Sequence, residues 1–304
     1  MILQDIPWPD GIVPSLNTPF ARDGSVDAEG YGRLVLHLAG EGCAGALALA
    51  VAGEGPSLTE AECRTLLRSA VRAAQSVPGQ FPIIASLGSD PDLAMHRAGL
   101  YAEDGADVLL YQAPPGGDLV SLGPLLRRLS DAGRPLMLQD FDPAGSGLAI
   151  EDIVALSRDV PAFRYLKVET IPSGPKQSAV LAATAGRMHV SGGWAVNEML
   201  DAMDRGIHAF IPTELEPVYV EIFAAHRRGN RERASALFGR IAPVLEFANR
   251  DVGTSIRFLK RLRQRRGLFE TDICRSGVAE FDAATNHEAE RLIGVALSAI
   301  AAAR

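Results

Sequence analysis

Short apolar runs alternate with longer amphipathic stretches along the first two thirds of the chain. Stretches such as 58–75 and 90–104 place apolar residues at the spacing of one helix face. Eight apolar runs have the length and composition of buried β-strands, and they lie at 11–19, 45–51, 82–88, 107–113, 135–141, 163–169, 188–193 and 208–214. Five of the predicted helices start after a residue suited to cap the first turn: Asp27, Thr59, Asp90, Asp118 and Glu151.

This alternation predicts an α/β fold with a parallel sheet covered by helices. Eight strand–helix units favour closure into a (β/α)8 TIM barrel. An open doubly wound sheet is the alternative, but no Gly-x-Gly-x-x-Gly sequence follows the first strand. The strand pattern ends after Glu214, and helix follows helix to the end of the chain. We therefore predict a barrel over residues 1–230 and a C-terminal helical extension over 231–304.

Composition and charge narrow the range of partners. The 304 residues are 47% hydrophobic with a formal net charge of -7, which disfavours nucleic acid and anionic membranes as partners. Uncharged stretches such as 42–53 are too short to span a bilayer. Residues 1–10 do not resemble a secretion signal. Cys43, Cys63 and Cys274 form neither a disulfide framework nor a zinc pattern, so we expect free thiols and a cytoplasmic location.

The chain has three lysines, and one of them stands out. Lys176, in a Pro/Gly/Ser segment, is predicted to be a solvated surface charge. Lys260, in a strongly basic helix, is predicted to be a surface or snorkelling residue. Lys167 interrupts an apolar strand near its carboxyl end, where a barrel places its chemistry. Burial favours the neutral amine, which can attack a ketone and form an imine. The alternative is a structural ion pair between Lys167 and Glu169 or Glu54.

Other chemistries find little support in the sequence. The six histidines are dispersed, and neither a Gly-x-Ser-x-Gly elbow nor a Walker A loop is present. We therefore predict no metal and no cofactor. Phe141 and Trp194, near strand ends, are suited either to wall a pocket or simply to pack.

Several short motifs together resemble the dihydrodipicolinate synthase / N-acetylneuraminate lyase superfamily of Schiff-base-forming barrel enzymes, and the resemblance covers essentially the whole chain. It is carried by Thr18-Pro19-Phe20, Gly53-Glu54 with Pro56-Ser57-Leu58-Thr59, Gly105-Ala106-Asp107, Lys167, Ser191-Gly192, and Leu259-Lys260 ahead of Arg266-Gly267-Leu268. The resemblance implies that Lys167 forms the imine and that the protein is a homotetramer built as a dimer of dimers.

Two departures from the superfamily pattern concern the substrate. Members that bind pyruvate usually carry Gly-Thr-Thr-Gly-Glu after strand two, whereas this chain has Ala-Val-Ala-Gly-Glu at 50–54. Members usually end strand five in Tyr-Asn-x-Pro, whose phenol relays protons, whereas here Gln139 stands at the tyrosine position. We therefore expect a substrate other than that of the lysine-pathway synthase, larger or less polar than pyruvate.

These observations predict a lyase or aldolase that acts on a 2-oxo acid or related ketone through Lys167. Tyr111 and Asp140 are two candidates to replace the missing phenol beside Gln139. The substrate would be oriented by Thr18, Val51, Ala52 and Gly53, with Gly192 leaving space beside the imine and Ile211 forming a wall. A 2-keto-3-deoxy sugar-acid dehydratase using the same imine is one alternative, and a non-catalytic acid-binding barrel is another.

Overall fold

The architecture is that of a barrel followed by three further helices, seen in a computed structural model that describes residues 10–193, 196–275 and 277–304. The strands are β1 Gly11–Ile12, β2 Ala46–Ala48, β3 Ile83–Gly88, β4 Val108–Ala113, β5 Leu136–Asp142, β6 Phe163–Thr170, β7 His189–Gly192 and β8 Ala209–Phe210. The barrel helices are α1 Ala28–Gly40, α2 Glu60–Gln75, α3 Pro91–Glu103, α4 Leu119–Leu129, α5 Ile150–Asp159, α6 Ser173–Ala183, α7 Met199–Asp204 and α8 Glu216–Arg227. The last three are α9 Arg231–Ala248, α10 Val252–Arg265 and α11 Ala283–Ala303.

The eight strands are parallel and form a closed ring. Each strand pairs with its chain neighbour from β2 to β8, and β8 pairs with β1. The ring closes where the Leu16 amide donates to the Leu47 carbonyl at 2.8 Å and the Leu47 amide donates to the Pro14 carbonyl at 2.9 Å. The predicted (β/α)8 barrel is confirmed.

Alternation along the strands separates two apolar layers. Residues such as Val108, Leu110 and Met137 point into the barrel and pack together there. Their strand neighbours, such as Leu109 and Leu138, point outwards and pack under the helices. Because successive side chains of a strand face opposite sides of the sheet, only every second residue of a strand can reach the barrel interior.

Local hydrogen bonds explain where four of the barrel helices begin. Asp27 accepts from the Gly30 amide at 2.7 Å and Asp90 from the Leu93 amide at 2.7 Å. Thr59 and Asp118 each form a reciprocal capping box with the residue three positions later. The prediction for Glu151 was wrong, since α5 follows Ala149 and has no side-chain cap, and Glu151 lies in its first turn.

Helix α10 carries basic side chains into the protein rather than to its surface. Lys260 is fully buried, which corrects its assignment as a surface residue. Its Nζ lies 2.6 Å from a Glu54 carboxylate oxygen and 4.2 Å from the centre of the Phe20 ring. The pairing and ring contact compensate for the cost of burying an ammonium group.

A second buried cluster joins α10 to the chain after β8. Arg263, fully buried, donates to Glu216, and Arg266 donates to both Glu214 and Glu216. Four charged side chains thus bind the C-terminal helices to the barrel end. In the described part of the chain, the helices are too short or too polar to cross a membrane.

Candidate active site

A cavity of about 330 Å³ opens where the strands end. Its lining comes from late strand positions and following loops on one side, and from α9 and α10 on the other. The strand side consists of Ser15, Ala50, Val51, Ala52, Ser86, Gln112, Gln139, Phe141, Lys167, Glu169, Ile211 and Thr213. The helix side consists of Ala248, Asn249, Asp251, Val252, Ser255, Ile256 and Leu259. The extension predicted at 231–304 thus forms part of the cavity wall.

Lys167 is the one lysine among the described lining residues. It belongs to β6, pairs in register with Gln139 of β5, and follows the inward-facing Tyr165 by two residues. Its side chain is 8% exposed, and Nζ lies 3.0 Å from Oε1 of Glu169. The ion pair foreseen as an alternative therefore exists, but it lies beside open space large enough for a small carbonyl compound.

Glu169 and Gln139 form a hydrogen-bonded pair next to that amine. The Gln139 amide nitrogen donates to Oε2 of Glu169, while Oε1 faces Lys167. The carboxylate is thus held by a donor on each oxygen and is nine-tenths or more buried. Such a group can accept a proton from the ammonium and return it to a bound molecule.

Sequence reasoning assigned Glu169 only a structural pairing role. The signal that places it in the site is its spacing of two from Lys167 within a strand, because residues two apart share a face. The same rule places Gln112 in the cavity, since Gln112, Gln139 and Lys167 are register partners on neighbouring strands.

The structure places Tyr111 away from the cavity. It precedes the inward-facing Gln112 and therefore points outwards, where it is buried under the helices. Its hydroxyl donates to the Ser89 carbonyl at 2.9 Å, and burial raises the pKa of the phenol.

Asp140 also lies on the outer face of the sheet. It pairs with Lys176 and accepts from the Leu148 amide at 3.0 Å. Burial raises the pKa of Asp140, although Lys176 acts in the opposite direction. Lys176 is 9% exposed and belongs to α6, so its assignment as a solvated surface charge was wrong. Gln139 and Asp140 are adjacent in one strand, so only one of them can face the cavity.

Of the four residues predicted to orient the substrate, two line the cavity. Val51 and Ala52 do so from the turn after β2. The Thr18 hydroxyl instead donates to the Gly53 carbonyl at 2.6 Å, and the Gly53 amide donates to the Ala50 carbonyl at 2.9 Å. Thr18 and Gly53 therefore hold the turn that presents Val51 and Ala52.

The space beside Lys167 depends on a glycine other than the one predicted. Gly192 lines a neighbouring cavity of about 130 Å³, and a Cβ there would lie 3.2 Å from the Phe210 ring. A Cβ on Gly193 would lie 2.6 Å from Cε of Lys167 and would clash with the Glu169 carboxylate. Ile211 lines the main cavity as predicted, as does Phe141, whereas Trp194 lies outside the described residues.

The described lining of the cavity carries three charged side chains, those of Lys167, Glu169 and Asp251. None of the described lining residues is an arginine. Asp251 caps α10 by accepting from the Thr254 amide at 2.9 Å and from the Thr254 hydroxyl, and these bonds lower its pKa.

Within the described ranges, no three His, Cys, Asp or Glu side chains are arranged to hold a metal ion.

Comparison with protein families and curated proteins gives a consistent result. A model described as the dihydrodipicolinate synthetase family matches residues 9–296. A 4-hydroxy-tetrahydrodipicolinate synthase of Acidothermus cellulolyticus is 28% identical over 247 residues, which cover 78% of each chain. A protein of the same name from Chelativorans sp. is 36% identical over 105 residues, 34% of this chain and 35% of that relative.

Solved structures share the fold. A dihydrodipicolinate synthase from Rhodopseudomonas palustris superposes with a TM-score of 0.86 at 21% identity, over 95% of this chain and 98% of the other. A 4-hydroxy-tetrahydrodipicolinate synthase from Methylacidiphilum fumariolicum gives 0.85 at 18% identity, over 97% and 98%.

Proposed function

Because the chain belongs to the dihydrodipicolinate synthetase family and is thus a lyase of the class I aldolase type, we propose that Lys167 forms a Schiff base with a 2-oxo acid or a related ketone. One observation carries this proposal: the Lys167 amine, almost fully buried, faces a cavity of about 330 Å³ at the carboxyl ends of the strands.

The proposed chemistry begins once the Lys167 ammonium has given up a proton. The Lys167 nitrogen adds to the substrate carbonyl, water leaves, and an iminium remains. This cation withdraws electrons from the neighbouring carbon, so that a C–C bond can form or break there. A hydroxyl on the next carbon can instead leave after a proton is lost, which is the dehydratase alternative.

The lining favours a substrate with an apolar portion. Phe141, Ile211, Val252, Ile256 and Leu259 give the cavity apolar walls, and the two threonines expected for a pyruvate site are replaced by Val51 and Ala52. Polar groups such as Gln112 and Thr213 remain for hydrogen bonds to a polar end of the substrate.

Borohydride trapping tests the proposal. The protein is incubated with pyruvate, 2-oxobutanoate or 2-oxoglutarate, reduced with borohydride, digested and analysed by peptide mass mapping. We expect a reduced adduct on the peptide that contains Lys167 and none on the peptide that contains Lys260, a buried lysine paired with Glu54 that serves as an internal control. Reversible binding without an adduct would favour the non-catalytic barrel, and product analysis separates cleavage from dehydration because dehydration keeps the carbon skeleton.

Assembly and location belong to the same proposal. We propose a cytoplasmic homotetramer that acts on a small molecule. The assembly and the small-molecule substrate are supported by membership of the family. The location is supported by the free cysteines Cys43, Cys63 and Cys274, which suit a reducing compartment. Light scattering of the purified protein measures the assembly directly, and a monomer would contradict it.

A further inference from the structure

We propose that Glu169 is the acid–base residue of this site and that Gln139 positions it, a proposal that rests on imine formation at Lys167. The phenol expected at position 139 is replaced by an amide, which cannot relay a proton. The two other candidates, Tyr111 and Asp140, point away from the cavity. Glu169 lines it, with Oε1 at 3.0 Å from the amine.

The steps balance with Glu169 as the proton carrier. Its carboxylate first takes a proton from the Lys167 ammonium, which leaves a free amine and a carboxylic acid. The amine adds to the substrate carbonyl, and its own proton moves to the oxygen to give a carbinolamine. Glu169 then protonates the departing hydroxyl, water leaves, and the iminium forms beside a carboxylate.

The same carboxylate is then available for the carbon chemistry. It removes a proton from the carbon next to the iminium, which gives an enamine and the carboxylic acid again. Return of that proton to the same carbon, or to a product, restores the carboxylate. A single group within reach of the lysine nitrogen thus serves both the formation of the imine and the use of it.

Gln139 is the positioning residue in this scheme. Its amide donates to Oε2 and leaves Oε1 directed at the amine. Among the described lining residues, the charged groups that share the cavity with Glu169 are Lys167 and Asp251, and Asp251 is held by its capping bonds to Thr254.

Hydrogen exchange separates the Glu169 role from imine formation without knowledge of the natural substrate. Loss of a C3 proton from pyruvate or 2-oxobutanoate in D₂O is followed by proton NMR, and borohydride trapping is measured in parallel. In folded Glu169→Gln we expect the final yield of adduct on Lys167 to persist after long incubation, because an acid–base group changes the rate of imine formation and not its equilibrium. The exchange rate should fall by ~100-fold or more, the contribution typical of a general base. Glu169→Asp, which keeps a carboxylate, should exchange faster than Glu169→Gln.

The outcomes that overturn the proposal are distinct. Exchange by Glu169→Gln within threefold of the unsubstituted protein would assign Glu169 a purely structural role, as would an equal loss of the final adduct yield and the exchange rate in the folded variant. Should Glu169→Gln not fold, the same two measurements on Glu169→Asp decide, and equal losses of final adduct yield and exchange rate there have the same meaning. A lack of any adduct in the unsubstituted protein would instead overturn the function proposed for Lys167, and this one with it.

The role of Gln139 has its own readout. Gln139→Met should slow exchange by ~10-fold or more, because the Glu169 carboxylate loses the donor that holds Oε1 towards the amine. Added to Glu169→Gln, the same change should cause no further loss, because Gln139 acts through Glu169. Gln75→Met, the same substitution at an exposed position of α2, is the matched control and should keep the exchange rate. An unchanged rate in Gln139→Met, or a full further loss in the double variant, would overturn the positioning role.

Discussion

Gly193 sets how much room the reactive side chains have. A methyl group there would come within 2.6 Å of Cε of Lys167 and would clash with the Glu169 carboxylate. Since non-bonded carbon atoms do not approach so closely, a larger residue must displace one or both side chains. The position therefore controls the geometry of the amine although it contributes no functional group.

Gly193→Ala should slow borohydride trapping on Lys167 by ~100-fold, since displacement of a reacting group by about 1 Å has costs of this size. Gly99→Ala is the matched control, because a Cβ there meets nothing within 4 Å and α3 tolerates alanine. Mass spectrometry of the adduct over time gives both rates. Trapping by Gly193→Ala at the rate of the control would show that the site adapts freely.

The alternation of side chains along a strand shows how much of the site could be predicted from the sequence. Lys167 was predicted because a charge inside an apolar strand is conspicuous. Glu169 follows from the same strand by the period of two, and that period also separates Gln139 from Asp140 and Gln112 from Tyr111. The alternation of side chains does not predict which residues touch each other. The hydrogen bond between Gln139 and Glu169 depends on the register between β5 and β6.

Helix α10 divides its surface between the cavity and the barrel end. Val252, Ser255, Ile256 and Leu259 recur three and four residues apart and line the cavity. The adjoining face places Lys260 against Glu54. One helix therefore completes the site and also fixes the extension to the barrel.

Lys260→Met should lower the free energy of unfolding by about 3–5 kcal/mol, because removal of one partner leaves the buried Glu54 carboxylate without its cation. Arg265→Met, in the same helix, removes a cation that is half exposed and pairs with Glu290, so it should cost less than about 1 kcal/mol. Urea denaturation measures both. Equal effects would mean that burial of the Lys260 pair contributes no special stability.

The burial of Lys260 was not predictable from its surroundings in sequence. In Ser255-Ile256-Arg257-Phe258-Leu259-Lys260-Arg261-Leu262-Arg263 the density of charge is typical of a solvated face. The partner carboxylate lies 206 positions away, so local pattern carries no sign of it. Residues 216–304 were nonetheless assigned correctly as helical over α8 to α11, because apolar periodicity is a local property.

At the scale of the whole molecule, buried carboxylates couple the barrel to the C-terminal helices. Burial acts to raise the pKa of Glu216, but Arg263 and Arg266 outweigh it and lower the pKa to about 2. Glu214 beside it has a raised pKa, chiefly through burial and then through the charge of Glu216. Burial lowers the pKa of His37, which also contacts Arg266.

The direction of the pH dependence follows from Glu216. A carboxyl with a lowered pKa in the folded state stabilises the fold above its ordinary value of 4.5, and this stability is lost as the pH falls towards 2. Between pH 6 and pH 2 the unsubstituted protein should lose more of its free energy of unfolding than Glu216→Gln, whose stability starts lower, as measured by urea denaturation at each pH. Glu290→Gln, at the surface pair with Arg265, is the control. Parallel pH curves for the unsubstituted protein and Glu216→Gln would contradict the assignment.

Because one face of α10 lines the cavity and the adjoining face holds the buried cations, a barrel of this kind can change the ligand that it accepts. Val252, Ser255 and Ile256 reach the cavity without belonging to the buried charge clusters. Randomising these three positions would alter the shape offered to a ligand while the anchoring cations stay in place. Evolution or protein engineering can therefore change the chemistry of the cavity by substitutions along one edge of this helix, with little loss of stability of the fold.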